Sequence, residues 1–147
     1  MPGFPTGNTM GIIIDSSVLI ELERRGLPLG ALAAGGLKDP LAISSMVAAE
    51  LLAGVERADS EPRRAKRRAY IESLLDCLPV IPFDLAAARI YAGLWQQLSV
   101  AGTPIGSHDL IIGATALAYD YAVLTCNPSD FAKISNLILV ELSLPIT

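Results

Sequence analysis

Three acidic residues stand in apolar surroundings, and they are the first candidates for chemistry in this sequence. Asp15 ends the apolar run GIIID, Glu50 interrupts the segment VAAELLAG, and Asp109 begins a long apolar stretch. A buried carboxylate is costly unless a cation or a hydrogen-bond donor compensates it. Each acid therefore needs either a bound cation or a structural partner.

The structural interpretation of each acid is open at this level. Asp15 can hydrogen-bond amides of a following helix, Glu50 can lie on the exposed face of an amphipathic helix, and Asp109 can complement a helix dipole from the first turn. The combination is more informative than its members. Acids at strand ends and helix starts of successive βα units can converge on one cleft.

Converging carboxylates repel one another unless a cation neutralises them. Because no His or Cys ligand pattern accompanies them, the three acids suit a hard cation such as Mg²⁺ or Mn²⁺. Such an ion could activate water and stabilise the charge on a phosphate under in-line attack. The sequence thus predicts an oxygen-ligand metal site formed by Asp15, Glu50 and Asp109.

The elements that must position these acids alternate between short apolar runs and longer helical patterns, which predicts repeated βαβ units. Strands are expected at 11–15, 41–44, 78–83, 122–126 and 137–142, and the main helices at 16–25, 45–55, 62–76, 85–100 and 108–119. Ser16 or Ser17, Ser44 or Ser45, and Asp84 are the expected helix caps. The fold class is α/β, a three-layer α/β/α sandwich with a central parallel sheet of about five strands.

Length and composition favour one globular domain. The chain has 147 residues, of which 52% are hydrophobic and 18% charged, so disorder is excluded. We expect residues 1–10 to be a disordered lead-in to a cytoplasmic protein and residues 11–147 to form the domain. The apolar runs are shorter than the roughly 20 residues of a membrane span. Cys77 and Cys126 lack ligand spacing and are predicted to be reduced, packed thiols.

The net charge of −4 argues against binding of nucleic acid by bulk positive charge. The distribution is uneven, because six of the eleven basic residues lie between positions 57 and 68. Arg63, Arg64 and Arg67 in this cluster could contact nucleic-acid phosphates. A solvated helix face is the preferred interpretation of the cluster.

Three segments together resemble the PIN domain, and within it the VapC-type toxins. They are IIIDSSVLIELE at 12–23, ISSMVAAELLAGVER at 43–57 and GSHDLIIGATALAYDYAVLTCNPSDF at 106–131. The likeness covers nearly the whole chain from Gly11 to Leu142 in order and spacing. Its last segment, an acid followed by an apolar helix, a strand, Thr-x-Asn and Asp-Phe, is the most specific.

The resemblance implies an endoribonuclease that uses Mg²⁺ or Mn²⁺, with catalytic acids at Asp15, Glu50 and Asp109. Ser17, Thr125 and Asn127 are implied as polar helpers. Many relatives carry Asp at the position of Asn127, whereas here Asp130 follows three residues later. Asp130 either supplies the fourth catalytic carboxylate, directly or through water, or only caps a short helix.

The resemblance also implies partners. VapC-like proteins are typically homodimers, inhibited by a cognate VapB-like antitoxin whose tail places a basic side chain among the acids. The apolar stripe at 90–98 is accordingly expected to be core or dimer surface. His108 neighbours an acid, but the family pattern requires no His, and no catalytic role is assigned to it.

Two other function classes compete with this interpretation. A receiver-type signalling domain also places acids around Mg²⁺, but it needs paired acids near the first strand and a Lys after a late strand. Asp15 has no acidic neighbour upstream, and Lys133 does not close such a strand. A PIN fold that binds partners without catalysis would be favoured if Asn127 weakened the metal site.

Overall fold

The computed structural model describes residues 9–142. Strands and helices alternate along the chain. The strands are β1 (Gly11–Ile14), β2 (Leu41–Ser44), β3 (Val80–Ile81), β4 (Tyr121–Thr125) and β5 (Leu139–Glu141). The helices are α1 (Ser16–Arg25), α2 (Ala31–Ala34), α3 (Ser45–Glu56), α4 (Glu61–Cys77), α5 (Leu85–Ala101), α6 (Ser107–Ala118) and α7 (Pro128–Phe131).

The five strands form one parallel sheet in the order β3-β2-β1-β4-β5, which confirms the predicted three-layer α/β/α class. The central strand β1 pairs with β2 through Ile12 opposite Leu41, and with β4 through Ile14 opposite Leu124. Both β1 neighbours run in the same direction. The carboxyl ends of β1, β2 and β4 therefore lie at one edge, where an open parallel sheet binds ligands.

The core is built on the central strands. Ile12, Ile13 and Ile14 are 0% exposed, and so are Ala122, Val123 and Leu124 of β4. A strand that is apolar on both faces is stable only when helices cover both faces of the sheet. At the start of β1, a Cβ on Gly11 would lie 2.5 Å from the Pro40 carbonyl oxygen, so a larger residue there is excluded by backbone.

Helix ends follow the expected signals with one exception. Ser44 and Asp84 cap α3 and α5, and Gly26 and Gly102 end α1 and α5 at φ of 67° and 72°. The prediction that Ser16 or Ser17 would cap α1 is wrong. Asp15 is the cap residue, because its carboxylate accepts a hydrogen bond from the Ser16 amide.

The outer strands are shorter than predicted. β3 comprises only Val80 and Ile81 instead of residues 78–83, and Pro79 and Pro82 stand on either side of it. Proline has no amide hydrogen to donate to a ladder, so pairing stops at these positions. β5 is likewise confined to three residues, and β4 begins one residue earlier than predicted.

The surface holds one further correction, which concerns the two cysteines. Cys77 and Cys126 are both exposed, so the prediction of packed thiols is wrong, although both are free. Trp95 on α5 is 55% exposed, which assigns it to the surface and not to the core.

Most of the predicted lead-in, residues 1–8, lies outside the described residues, as does the end of the predicted domain at 143–147. Within residues 9–142, no helix has the length and apolar character needed to cross a membrane.

Candidate active site

Asp15 lies directly after β1 at the carboxyl edge of the sheet and is only 6% exposed. Its amide donates to the Leu124 carbonyl at 2.9 Å, which continues the β1–β4 pairing by one residue. Its Oδ1 accepts from the Ser16 amide at 2.8 Å. The structural role considered for Asp15 is thus real, but it occupies only one of the two carboxylate oxygens.

The second carboxylate oxygen of Asp15 is held by two hydroxyl groups. Ser17 Oγ and Thr125 Oγ1 each lie 2.8 Å from Oδ2. These hydroxyls accept in turn from the amides of Cys126, at 3.1 Å, and Asn127, at 3.0 Å. Since a hydroxyl that accepts from an amide directs its own hydrogen elsewhere, the network fixes the orientation of the Asp15 carboxylate.

Asp109 lies in the first turn of α6, and its carboxyl group is within electrostatic range of three other acids. Partial burial, followed by the negative charges of Asp15, Asp130 and Glu50, raises the pKa of Asp109 to about 6. A like charge shifts a pKa in this way only from nearby. The four acids predicted from sequence are therefore brought to one region of the molecule.

Glu50 lies in the second turn of α3, with its side chain 25% exposed. Its Oε2 lies 3.1 Å from His108 Nδ1 of α6. Its Oε1 is buried and has no hydrogen-bond partner among the described residues. A buried carboxylate oxygen without a donor is costly, so this oxygen is available to a cation or another partner.

Asp130 and Asn127 occupy different positions around the short helix α7. Asn127 is the cap residue of α7, but its side chain makes no capping hydrogen bond. Its backbone amide donates to the Thr125 hydroxyl. Asp130 is half-buried, lies 3.4 Å from Lys133 Nζ, and contributes to the raised pKa of Asp109. The acid is therefore within electrostatic range of the other carboxylates.

The acid cluster has the ligand chemistry of a divalent-cation site, but its carboxylates do not lie close enough together to surround one ion. In the portion from residue 9 to 142, no three acidic, His or Cys side chains are placed closely enough to hold one ion as they stand. Free carboxylates repel one another, and only a bound cation removes the cost of bringing them together. The unpartnered Glu50 oxygen and the raised pKa of Asp109 are what an acid cluster shows without its counter-ion.

The basic cluster lies elsewhere. Arg63 and Arg67 line a groove of about 760 Å³ between the ends of α1 and α3 and the first half of α4. Arg64 is not among the lining residues; it donates to the Ala58 carbonyl at 2.9 Å and pairs with Glu61. Two of the three predicted RNA contacts thus share one groove, and Arg64 ties the loop between α3 and α4 instead.

Sequence reasoning missed the contact between His108 and Glu50. The two residues are 58 positions apart on different helices, so no local pattern connects them. The only signal was that His108 precedes Asp109. The sequence also suggested the neighbouring serines as the cap of α1 in place of Asp15, because Asp and Ser both favour a cap position.

Comparison with known proteins identifies the family. The PIN domain matches residues 12–137, which include all four acids. This chain belongs to the PIN-domain family. The ribonuclease VapC of Rickettsia bellii is 36% identical to this PIN protein over 128 residues, covering 87% of this chain and 93% of the relative. The resemblance is confirmed, and the receiver-type alternative is wrong.

Solved structures give the same result. A chain of VapBC2 from Rickettsia felis, bound to a DNA fragment from the promoter, superposes with a TM-score of 0.76 at 26% identity, covering 90% of this chain and 98% of that one. VapBC-5 from Mycobacterium tuberculosis, a member of the VapBC family of toxin-antitoxin systems, gives a TM-score of 0.69 at 28% identity, covering 91% and 98%. The PIN protein therefore shares the fold of these chains over about nine-tenths of its length.

Proposed function

We propose that this PIN protein is a metal-dependent endoribonuclease, the toxin of a toxin-antitoxin pair, in which Asp15, Glu50 and Asp109 hold Mg²⁺ or Mn²⁺. The observation that carries the metal assignment is the raised pKa of Asp109, which burial and then the negative charges of Asp15, Asp130 and Glu50 produce. The unpartnered Oε1 of Glu50 supports it independently. The ribonuclease assignment rests on membership of the VapC ribonucleases.

Each acid has a distinct part in this proposal. Asp15 is a rigid ligand, because Ser17 and Thr125 hold its carboxylate before any ion arrives. Glu50 offers a free oxygen, and Asp109 becomes a ligand once its proton leaves. When bound, the ion supplies positive charge to the scissile phosphodiester and lowers the pKa of the attacking water. Hydrolysis then yields one phosphomonoester and one free hydroxyl.

Asp130 is the proposed fourth acid. The negative charge of Asp130 contributes to the raised pKa of Asp109. Asn127 carries no charge, and its backbone amide orients the Thr125 hydroxyl. Lys133 Nζ lies 3.4 Å from Asp130 Oδ1, which leaves Oδ2 of Asp130 available. Asp130 therefore takes the part that an acid at position 127 plays in many relatives, and Asn127 is a positioning residue.

The proposed partners follow from the VapBC relatives. VapBC-5 is a member of a toxin-antitoxin family, and VapBC2 was crystallised as a pair on promoter DNA. We infer a VapB-like antitoxin and a homodimer for this chain, acting on cytoplasmic RNA. A basic antitoxin side chain would neutralise the acid cluster in the same way as the cation, and would thereby block it.

The test is cleavage of a total RNA pool by antitoxin-free protein in Mg²⁺ or Mn²⁺. Asp109→Asn removes the central acid. Asp120→Asn is the matched control, because Asp120 is exposed before β4 at φ 59°, a conformation that Asn adopts readily. Discrete fragments made by the parent and by Asp120→Asn, but not by Asp109→Asn or in chelator, are expected. Intact RNA with every folded variant would favour a non-catalytic PIN module.

A further inference from the structure

A second charged site lies in the groove of about 760 Å³ between the ends of α1 and α3 and the first half of α4, and its basic residues outnumber its acidic ones. Four cationic side chains contribute to it, namely Arg57, Arg63, Lys66 and Arg67. Only two acids, Glu23 and Asp59, lie among its lining residues. The groove therefore has a surplus of positive charge on a protein whose net charge is −4.

The ion pairs in the groove leave two cations uncompensated. Glu23 pairs with Arg67 at 3.3 Å, and Asp59 pairs with Arg63 at 3.1 Å. Arg57 and Lys66 have no ion pair within residues 9–142. Cations that face one groove without a counter-ion make it a site of attraction for anions.

The backbone at Gly54 lets two guanidinium groups converge. The position of a Cβ on this residue would lie 3.6 Å from Arg67 Nη1 and 3.9 Å from Arg57 Nη2. Both groups thus point toward one bare stretch of α3. Guanidinium groups present planar, paired donors that match the oxygens of a phosphate diester.

The groove and the acid cluster are connected through the same helices. α3 carries Glu50 and ends next to Arg57, seven residues later, so two helical turns separate them on one side of the helix. α1 likewise begins at Asp15 and brings Glu23 to the groove. The separation along α3 is about 10 Å, the length of about three stacked nucleotides at about 3.4 Å each.

We propose that the groove lined by Arg57, Lys66 and Arg67 binds a backbone phosphate of the RNA substrate, about three nucleotides from the phosphodiester that is cut. This inference rests on the proposed ribonuclease function and adds a second contact to it. It predicts a minimum substrate length. An RNA too short to reach from the acids to the groove loses this contact, whatever its sequence.

The groove is tested with a double variant and a matched control. Arg57→Gln with Lys66→Gln removes the two uncompensated cations. Arg89→Gln with Lys38→Gln removes the same two residue types from exposed positions outside the groove. Both pairs are placed in the Asp109→Asn protein, and thermal unfolding shows whether each is folded. Binding of single-stranded RNA of 4 and 16 nucleotides is then measured across salt concentrations without cleavage.

The groove variant should bind the 16-nucleotide RNA about tenfold more weakly, and its plot of log affinity against log salt should be shallower by about 0.7, the value for one lost phosphate contact on a single strand. Its affinity for the 4-nucleotide RNA, and both affinities of the control, should be unchanged. Equal affinity and equal salt slope for the 16-nucleotide RNA would overturn the proposal. A glutamate-rich peptide is measured as a second probe. If the groove variant weakens binding of this peptide but not of RNA, the proposal is overturned, because the groove then belongs to an acidic protein partner.

The ribonuclease proposal can fail separately. If the parent protein with Asp109 intact cuts RNA while the groove variant binds like the control, the nuclease stands and the groove proposal is wrong. If the parent cuts no RNA but the groove variant shows the length-dependent loss of binding, the groove is an RNA site on a protein that does not cleave. Binding and cleavage are measured on different proteins, so the two results are independent.

Discussion

Thr125 Oγ1 lies 2.8 Å from Asp15 Oδ2 and joins the ends of two neighbouring strands by a buried hydrogen bond. The same hydroxyl accepts from the Asn127 amide at 3.0 Å, so its hydrogen is directed at the carboxylate. An acid held in this way needs no reorganisation when a cation binds. Partners of this kind are expected to matter nearly as much as the ligands themselves.

Thr125→Val keeps the shape of the side chain and removes the hydroxyl. RNA cleavage should fall about 10- to 100-fold, because Asp15 loses a donor that orients it. Stability should fall by about 1–3 kcal/mol, since the buried Asp15 carboxylate loses a hydrogen-bond donor. Thr115→Val is the control, because the buried Thr115 hydroxyl bonds only the Ile111 carbonyl of its own helix. Equal activity in both variants would show that the Thr125 hydroxyl is dispensable.

Removal of the Asp109 charge should stabilise the metal-free protein at neutral pH. The pKa of Asp109 is raised in the fold to about 6, so its ionised form is disfavoured there relative to the unfolded chain. Asp109→Asn should therefore raise the free energy of unfolding by about 1 kcal/mol after solvent screening is allowed for. Chemical denaturation at pH 7.5 in chelator measures it, and a less stable variant would contradict the shift.

The raised pKa of Asp109 also determines in which direction the stability of the protein changes with pH. Between the ordinary Asp pKa and about 6, the folded protein binds more protons than the unfolded chain, so this group's contribution to stability falls as pH rises through that range. The metal-free parent should lose stability from pH 4.5 to 7 more steeply than Asp109→Asn. Mg²⁺ should raise the melting temperature of the parent above pH 6 and leave that of the variant unchanged.

His108 should support Glu50 without taking part in the reaction. Its Nδ1 lies 3.1 Å from Glu50 Oε2, and this contact leaves Oε1 free. His108→Ala should lower cleavage about tenfold by weakening metal binding, and raising the Mn²⁺ concentration should restore the rate. Glu50→Gln should cost far more and resist such rescue. A rate loss in His108→Ala that no metal concentration reverses would assign the His a direct catalytic part.

Asp130 and Asn127 can be separated by one comparison. Asp130→Asn removes a charge that acts on Asp109, whereas Asn127→Ala leaves the backbone amide that orients Thr125 in place. The first change should reduce cleavage at least tenfold and shift the metal requirement upward, and the second should have a small effect. The reverse order of effects, measured as initial rates at several Mn²⁺ concentrations, would identify position 127 as the fourth site.

The sequence by itself determined the fold class and the approximate place of the acids. Strands that are apolar on both faces, such as β1, must be covered by helices, and βαβ connections make neighbouring strands parallel. Once that is given, an acid directly after a strand, such as Asp15, lies at the carboxyl edge. Local residue types also determined most helix ends, because caps and glycine stops act over a few residues.

Only the tertiary structure decided which atoms meet. The contact of His108 with Glu50, the two hydroxyls on Asp15 and the groove shared by Arg57 and Lys66 all join distant segments. Their geometry depends on how α3, α4 and α6 pack, and packing is a property of the whole core that no local pattern encodes. For the same reason, the sequence placed Cys77 and Cys126 inside, and the structure leaves both of them exposed.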